Sequence, residues 1–373
     1  DQIGGNRRFI YLETINSGSS WSFGETVTSY PSYRRGEWAN DNVGWEKSRK
    51  LDVGIDISFF DKLRVQVDWF KEKRSGIFLQ RSSIPVYVGI TTKPYVNIGR
   101  MRNPGWDCSL QYDQKIGQVN FSAMGNFTFA RNVIEDQDQP DYIEKYMNHT
   151  GQARWQTIGY VSDGLFKDEA DIATSPDQSA LGEVRPGDIR YKDLNNDGVI
   201  DSKDVKAIGY TDVPEIVYGF GVSAQWKGFD VSVFFQGNAH VSFSINSSMV
   251  RGFTEPKMAA NNVFSDIYGN YWTESNTDAK YPRLTTTEAT NNNQTSDFWL
   301  VNGRYLRLKN AEFGYTFPKK LIQKIRLSQL RIFVSGTNLV TFAPFKLWDP
   351  DLQTGASNYP NTRVANIGLN IGF

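Results

Sequence analysis

Scarcity is informative in this chain of 373 residues. Cys108 is its only cysteine, so no internal disulfide and no thiolate metal cluster can form. Cys108 reads as a small apolar strand residue rather than a reactive thiol. His149 and His240 are the only histidines and lie far apart, which argues against a His-rich catalytic zinc site. No run of about 18 apolar residues occurs, so a helical membrane span is excluded, whereas a membrane barrel, whose strands alternate, is not. With 41 basic and 41 acidic residues the formal net charge is zero, and the basic excess a nucleic-acid partner requires is missing. The chain opens at Asp1 without a charged and apolar leader, so either a targeting segment was removed or this is a piece of a longer protein.

What the chain has is alternation of period two. Leu51, Val53, Ile55, Ile57 and Phe59 alternate with Asp52, Gly54, Asp56 and Ser58. After a turn at Asp61-Lys62, Leu63, Val65, Val67 and Trp69 repeat the pattern against Arg64, Gln66 and Asp68. Trp106, Cys108, Leu110 and Tyr112 lead through Gly117 to Val119, Phe121, Ala123, Gly125, Phe127 and Phe129. Tyr218, Phe220, Val222, Ala224 and Trp226 lead through Lys227-Gly228 to Phe229, Val231, Val233 and Phe235. Each pair predicts an amphipathic hairpin. Ala311, Phe313, Tyr315 and Phe317 share a face while Leu306 and Leu308 have the opposite parity, which predicts a bulge near Lys309. Lys319 to Leu327 predicts a helical or extended turn, Leu330, Ile332 and Val334 resume alternation, and a final strand carries Ala365, Ile367, Leu369, Ile371 and Phe373.

Short turns at Asp61, Gly117, Gly228 and Lys319 alternate with long segments, about 81–102, 133–215 and 239–298. Outer-membrane barrels segregate loop lengths in this way, and soluble sandwiches have no reason to. Phe59, Phe60, Trp69, Trp226, Phe229, Phe317 and Phe373 collect near the short turns, as an interfacial girdle or as ordinary core aromatics. The opposite faces, with Asp52, Asp56, Arg64, Gln66, Asp68, Gln111, Asp113, Asn120 and Asn126, would line a wet interior. A hairpin is also predicted within 7–28, turning near Asn16 to Ser19.

Two stretches carry candidate site chemistry. Asp193, Asn195, Asp197, Val199 (through its carbonyl), Asp201 and Asp204 have the spacing of an EF-hand calcium loop, with Gly198 at the sharp turn and Asp204 where that pattern has Glu. Four carboxylates so close would repel without a cation, although a plain Asx-turn loop is the alternative. Tyr268, Tyr271 and Trp272, with Asn291 to Asn293 further on, would suit stacking and hydrogen bonding of sugar rings, or would simply fill a folded loop. No nucleophile paired with an acid and a base accompanies either stretch, so no enzyme is indicated.

The segment from Pro186 to Gly237, PGDIRYKDLNNDGVIDSKDV followed by a YGF strand and a KGFD turn, resembles the SusC/RagA family of TonB-dependent outer-membrane importers of Bacteroidota. The likeness extends to Trp45-Glu46-Lys47-Ser48, Leu51 to Asp56, Tyr281 to Leu284, Tyr305 to Asn310, Gly314 to Pro318 and Gly336 to Leu339, in the family's order. It implies an all-β transmembrane antiparallel barrel, of which residues 1–373 would be the C-terminal part, about ten of roughly 22 strands. The plug domain and TonB box would precede Asp1, and 133–215 would be an extracellular loop holding the calcium-type segment 193–204. It further implies uptake of oligosaccharides or peptides with a SusD-like lid lipoprotein and energy from TonB, ExbB and ExbD. Phe373 would be the terminal aromatic read by the barrel-assembly machinery, with outer-membrane lipid around the apolar faces. A secreted calcium-stabilised carbohydrate-binding or hydrolytic β-sandwich and a passive porin are the rival readings.

Overall fold

Every stretch of clean alternation forms a strand in the computed structural model, which describes residues 9–373 apart from 26, 91, 252, 254–262, 356 and 357. The principal strands are β1 (Lys47–Phe59), β2 (Leu63–Gln80), β3 (Tyr95–Ile116), β4 (Val119–Ala130), β5 (Ile216–Trp226), β6 (Phe229–Ala239), β7 (Tyr305–Thr316), β8 (Gln329–Phe342) and β9 (Val364–Gly372). They lie in one sheet in strict sequence order, with a short strand Val133–Asp136 beside β3 as its tenth member. This is the meander expected of up-and-down β architecture. Between β5 and β6, Lys227 and Gly228 both take positive φ (47° and 92°) and Trp226 pairs with Phe229, the two-residue geometry that matches strand twist. By contacts the chain divides into two units, Asp1–Asp52 with Phe70–Pro104 and Arg131–Arg154, and Val53–Trp69 with Gly105–Ala130 and Trp155–Phe373.

In the second unit the register lines up rows of one character. Val119, Trp226, Phe229, Tyr315, Ile332 and Leu369 are successive partners across β4 to β9, and so are Phe121, Ala224, Val231, Phe313, Val334 and Ile367. The side chains of these rows face outward, with Trp226 48%, Phe313 50% and Leu369 55% exposed. The opposite face carries Ser122, Ser223, Ser232, Glu312, Ser335 and Asn366 in one row. Its glycines make room for large neighbours: a Cβ at Gly368 would lie 2.2 Å from the Phe333 ring, and one at Gly314 would lie 2.5 Å from the Arg331 guanidinium. Arg331 thereby reaches both Asp230 and Glu312.

The bulge expected near Lys309 is present. Against β6 the pairing slips between Phe234 and Phe235, so Lys309 is the extra residue there; against β8 it slips between Leu308 and Asn310, where Asn338 and Leu339 of β8 stand opposite the single Lys309. The slip restores Leu308 to the apolar side, opposite Phe235 and Val340. Lys319–Ile322 and Gln323–Ile325 form the helical turn before β8.

Two expectations are corrected in the first unit. Residues 81–102 are not all loop, because β2 runs to Gln80 and β3 begins at Tyr95. The N-terminal segment does not turn near Asn16: Ile15–Ser17 pairs with Tyr33–Arg35 and Trp21–Phe23 with Thr28–Tyr30. Residues Arg7, Arg8 and Thr26 of the expected hairpin lie outside the described residues. The loop after β2 is held by Asp138, whose carboxylate accepts from the Ser82 and Ser83 amides, the Ser83 hydroxyl and Arg81. Burial alone would raise the Asp138 carboxyl, and those hydrogen bonds outweigh it and hold it below its ordinary value.

Candidate functional site: the cap built by three loop segments

The buried hydrophobic core of the second unit lies not on the sheet but in its long connections. Tyr160, Leu165, Ile189, Tyr191 and Ile200 from one connection meet Phe243, Ile245, Val250, Ile267, Tyr281 and Trp299 from a second and Phe345 from a third. These segments therefore fold as a cap with its own interior, which periodicity cannot reveal because the strands within it are only three or four residues long.

A buried polar lattice ties the first two connections together. The Gln178 side-chain amide donates to the Ile189 carbonyl (2.8 Å) and to Asn291 Oδ1 (2.7 Å), and Asn291 Nδ2 donates to the same carbonyl (2.8 Å). Asn292 Oδ1 accepts from the Ile189 amide and Asn292 Nδ2 donates to Asp188 Oδ1, both at 2.8 Å. The Trp299 indole donates to the Asn292 carbonyl at 2.7 Å. Asp188, fully buried, also takes the Arg283 guanidinium at 2.7 Å. This accounts for Pro186-Gly187-Asp188: Gly187 has φ 86°, a Cβ there would lie 2.5 Å from the Trp272 ring, and Asp188 anchors Arg283 of the Tyr281-Pro282-Arg283-Leu284 motif.

The aromatic candidates are therefore dispersed. Tyr271 and Trp272 pack against the cap core, and Tyr268 is 75% exposed. Asn291 and Asn292 are buried and spend their amides inside the protein, so they are not available to a sugar. Only Tyr268 remains as an open platform. Phe373 is 94% exposed.

In the 193–204 segment the acidic groups are engaged with backbone amides. Asp193 accepts from Asn196 and Gly198, Asp197 from Val199, and Asp201 from Lys203. Asp204 is fully buried and accepts from Leu194 (2.8 Å) and Asp201 (2.9 Å). Lys203 Nζ stands 3.4 Å from Asp197 and 3.3 Å from Asp201, a built-in counter-charge that offsets the repulsion between them. The Asn195 hydrogen bond, with the Val199 amide and Lys203, lowers the Asp197 carboxyl. Among the described residues no three Asp, Glu, His or Cys side chains converge as a metal centre. In this arrangement the acidic side chains close the loop on itself. A parallel bridge between Asp177 and Val199, with Ile200 in the core, fixes the loop to the cap.

With this geometry in view, the family assignment follows from a family model. The model described as TonB dependent receptor-like, beta-barrel, matches residues 11–339, and the chain belongs to that family. It is 29% identical to TonB-dependent receptor P3 of Formosa agariphila, over 90% of this chain and 35% of the relative. It is 24% identical to TonB-dependent receptor SusC of Bacteroides thetaiotaomicron, over 100% of this chain and 36% of the relative. A chain in the RagAB peptide importer, open-open state, superposes with a TM-score of 0.67 at 19% identity, covering 98% of this chain and 38% of its own length. This chain thus spans about a third of the relatives it matches, and its sheet is part of a TonB-dependent β-barrel.

Proposed function

We propose that this chain forms part of the wall and mouth of a SusC/RagA-type importer in the outer membrane of a Bacteroidota bacterium, and that the importer takes up oligosaccharides or peptides. The observation that carries the reading is the continuous outward apolar face in register across β4 to β9, backed by a polar face. An apolar surface of that extent is not stable in water, and the alternation is that of a strand between lipid and a wet lumen. A SusD-like lipoprotein would close over the cap, TonB with ExbB and ExbD would supply energy through the part of the importer outside this chain, and the assembly machinery would read Phe373. The proposal also assigns calcium to Asp193, Asn195, Asp197, Val199, Asp201 and Asp204, on their spacing and on the turn at Gly198; binding requires Lys203 to leave Asp197 and Asp201.

Uptake of labelled oligosaccharides and peptides by cells carrying the intact gene tests the function. Uptake that stops when TonB is deleted supports it; uptake indifferent to TonB favours a passive porin. Recovery of the protein in the soluble fraction without detergent would favour the β-sandwich.

A further inference from the structure

The cap contains a cavity of about 320 Å³ that neither the lattice nor the acidic loop uses, within the range of roughly 300–1,000 Å³ typical of small-ligand sites. Its wall is mostly apolar and includes Ile245, Phe298, Trp299, Val301, Phe345 and Leu347. Trp299 is held by its bond to the Asn292 carbonyl and Phe345 by edge contacts with Phe243 and Trp348, so the wall is preformed. The Phe298 and Trp299 rings are also perpendicular to each other (79°), and Trp299 is 1% exposed. This wall offers edges and crevices, not the flat open ring that stacks on a sugar.

The polar groups at the cavity are few and unequal. Asp266 Oδ2 accepts from Lys280 Nζ at 2.7 Å and from Tyr281 Oη at 2.8 Å, so that acid and that base cancel. Lys346, exposed on the cavity lining, has no ion-pair or hydrogen-bond partner among the described residues. One uncancelled positive charge beside an apolar space selects a ligand with an apolar body and one anionic end.

We propose that this cavity binds a small amphipathic monocarboxylate, its apolar body against Phe298, Val301 and Leu347 and its carboxylate on the Lys346 ammonium. The inference deepens the importer reading, on which it rests for its source: the C-terminal end of a short apolar peptide, or a medium-chain fatty acid. Both share the recognised chemistry, and the probes below separate them.

The test is calorimetric titration of the full-length protein in nanodiscs with N-acetyl-Leu-Leu, its C-terminal amide, octanoate and maltotriose. Binding of N-acetyl-Leu-Leu roughly tenfold tighter than its amide is expected, the effect of one charge-assisted hydrogen bond. Octanoate binding more tightly than the peptide would identify the fatty acid as the source. Lys346→Gln should erase the acid-to-amide difference while keeping the residual apolar affinity, and Leu347→Trp should fill the space and abolish both. Circular dichroism and heat-modifiability on each variant separate lost binding from lost folding. Equal affinity for acid and amide, competition by maltotriose, or no binding by any probe at millimolar concentration would overturn the proposal. TonB-independent uptake would count against the importer reading and leave these titrations standing, whereas failed titrations would remove the site and leave the importer.

Discussion

Replacing Asp188 with alanine should open the whole cap, not just its own loop. The carboxylate is fully buried and takes Arg283 Nε at 2.7 Å, Asn292 Nδ2 at 2.8 Å and the Arg185 amide at 2.9 Å. Removing it leaves a cation, a side-chain amide and a backbone amide without that acceptor. Breaking a buried pair by deleting one partner costs about 3–5 kcal/mol, and because the Arg283 side chain keeps 20% exposure the lower figure applies. About 3 kcal/mol raises a local opening equilibrium on the order of 100-fold. Hydrogen exchange should then show that loss of protection at Ile189, whose amide donates to Asn292, at Trp272, which donates to Tyr281, and at Ile245, which donates to Trp299. Amides in the centre of β5 and β6 should keep their protection, since the ladder holds them independently. A change confined to 185–192 would refute the claim that the connections form one cooperative body.

Other outcomes follow from the same geometry. Val222→Arg, on the outward face four residues in from the Trp226 end of its strand, should cost about 2–4 kcal/mol of folding stability in lipid while Ser223→Arg costs little; equal refolding midpoints would contradict the facing. Asp138 has a depressed carboxyl, so its clasp contributes above the unfolded value of 3.8 and is lost as pH falls through the lower folded value. Exchange at the Ser82 amide should accelerate in the wild type as pH falls below 3.8, and Asp138→Asn should lack that step. For the acidic loop, Lys203→Met should tighten calcium binding by removing the competing ammonium, and chelation should increase proteolysis within 133–215 without changing heat-modifiability. Cleavage indifferent to calcium and to chelator would withdraw the metal.

What could be read from the sequence was what repeats at short range. The hairpin at Lys227-Gly228, the bulge at Lys309 and the outward set Phe220, Val222 and Trp226 all followed from parity, because a strand exposes its period directly in the order of its residues. The cap was hidden because its contacts join Ile189 to Asn292 and Phe243 to Phe345, pairs separated by long stretches without periodicity. Amide-rich Asn291 to Asn293 therefore fits either a sugar surface or the filling of a folded loop by sequence alone, and Asn291 and Asn292 are interior struts. Lys203 was visible in the sequence, and its sign was the signal that the acidic loop already holds a counter-charge.

One face of this sheet is proposed to meet lipid and the other a wet lumen. Single nitroxide labels placed in turn at 219 to 225 of the full-length protein in liposomes measure this directly, through collision with oxygen and with a water-soluble nickel complex. Strict alternation is expected, with oxygen favoured at Phe220, Val222 and Ala224 and nickel favoured at Gly219, Gly221, Ser223 and Gln225. Uniform accessibility to nickel along the strand, or alternation of the opposite sense, would contradict it.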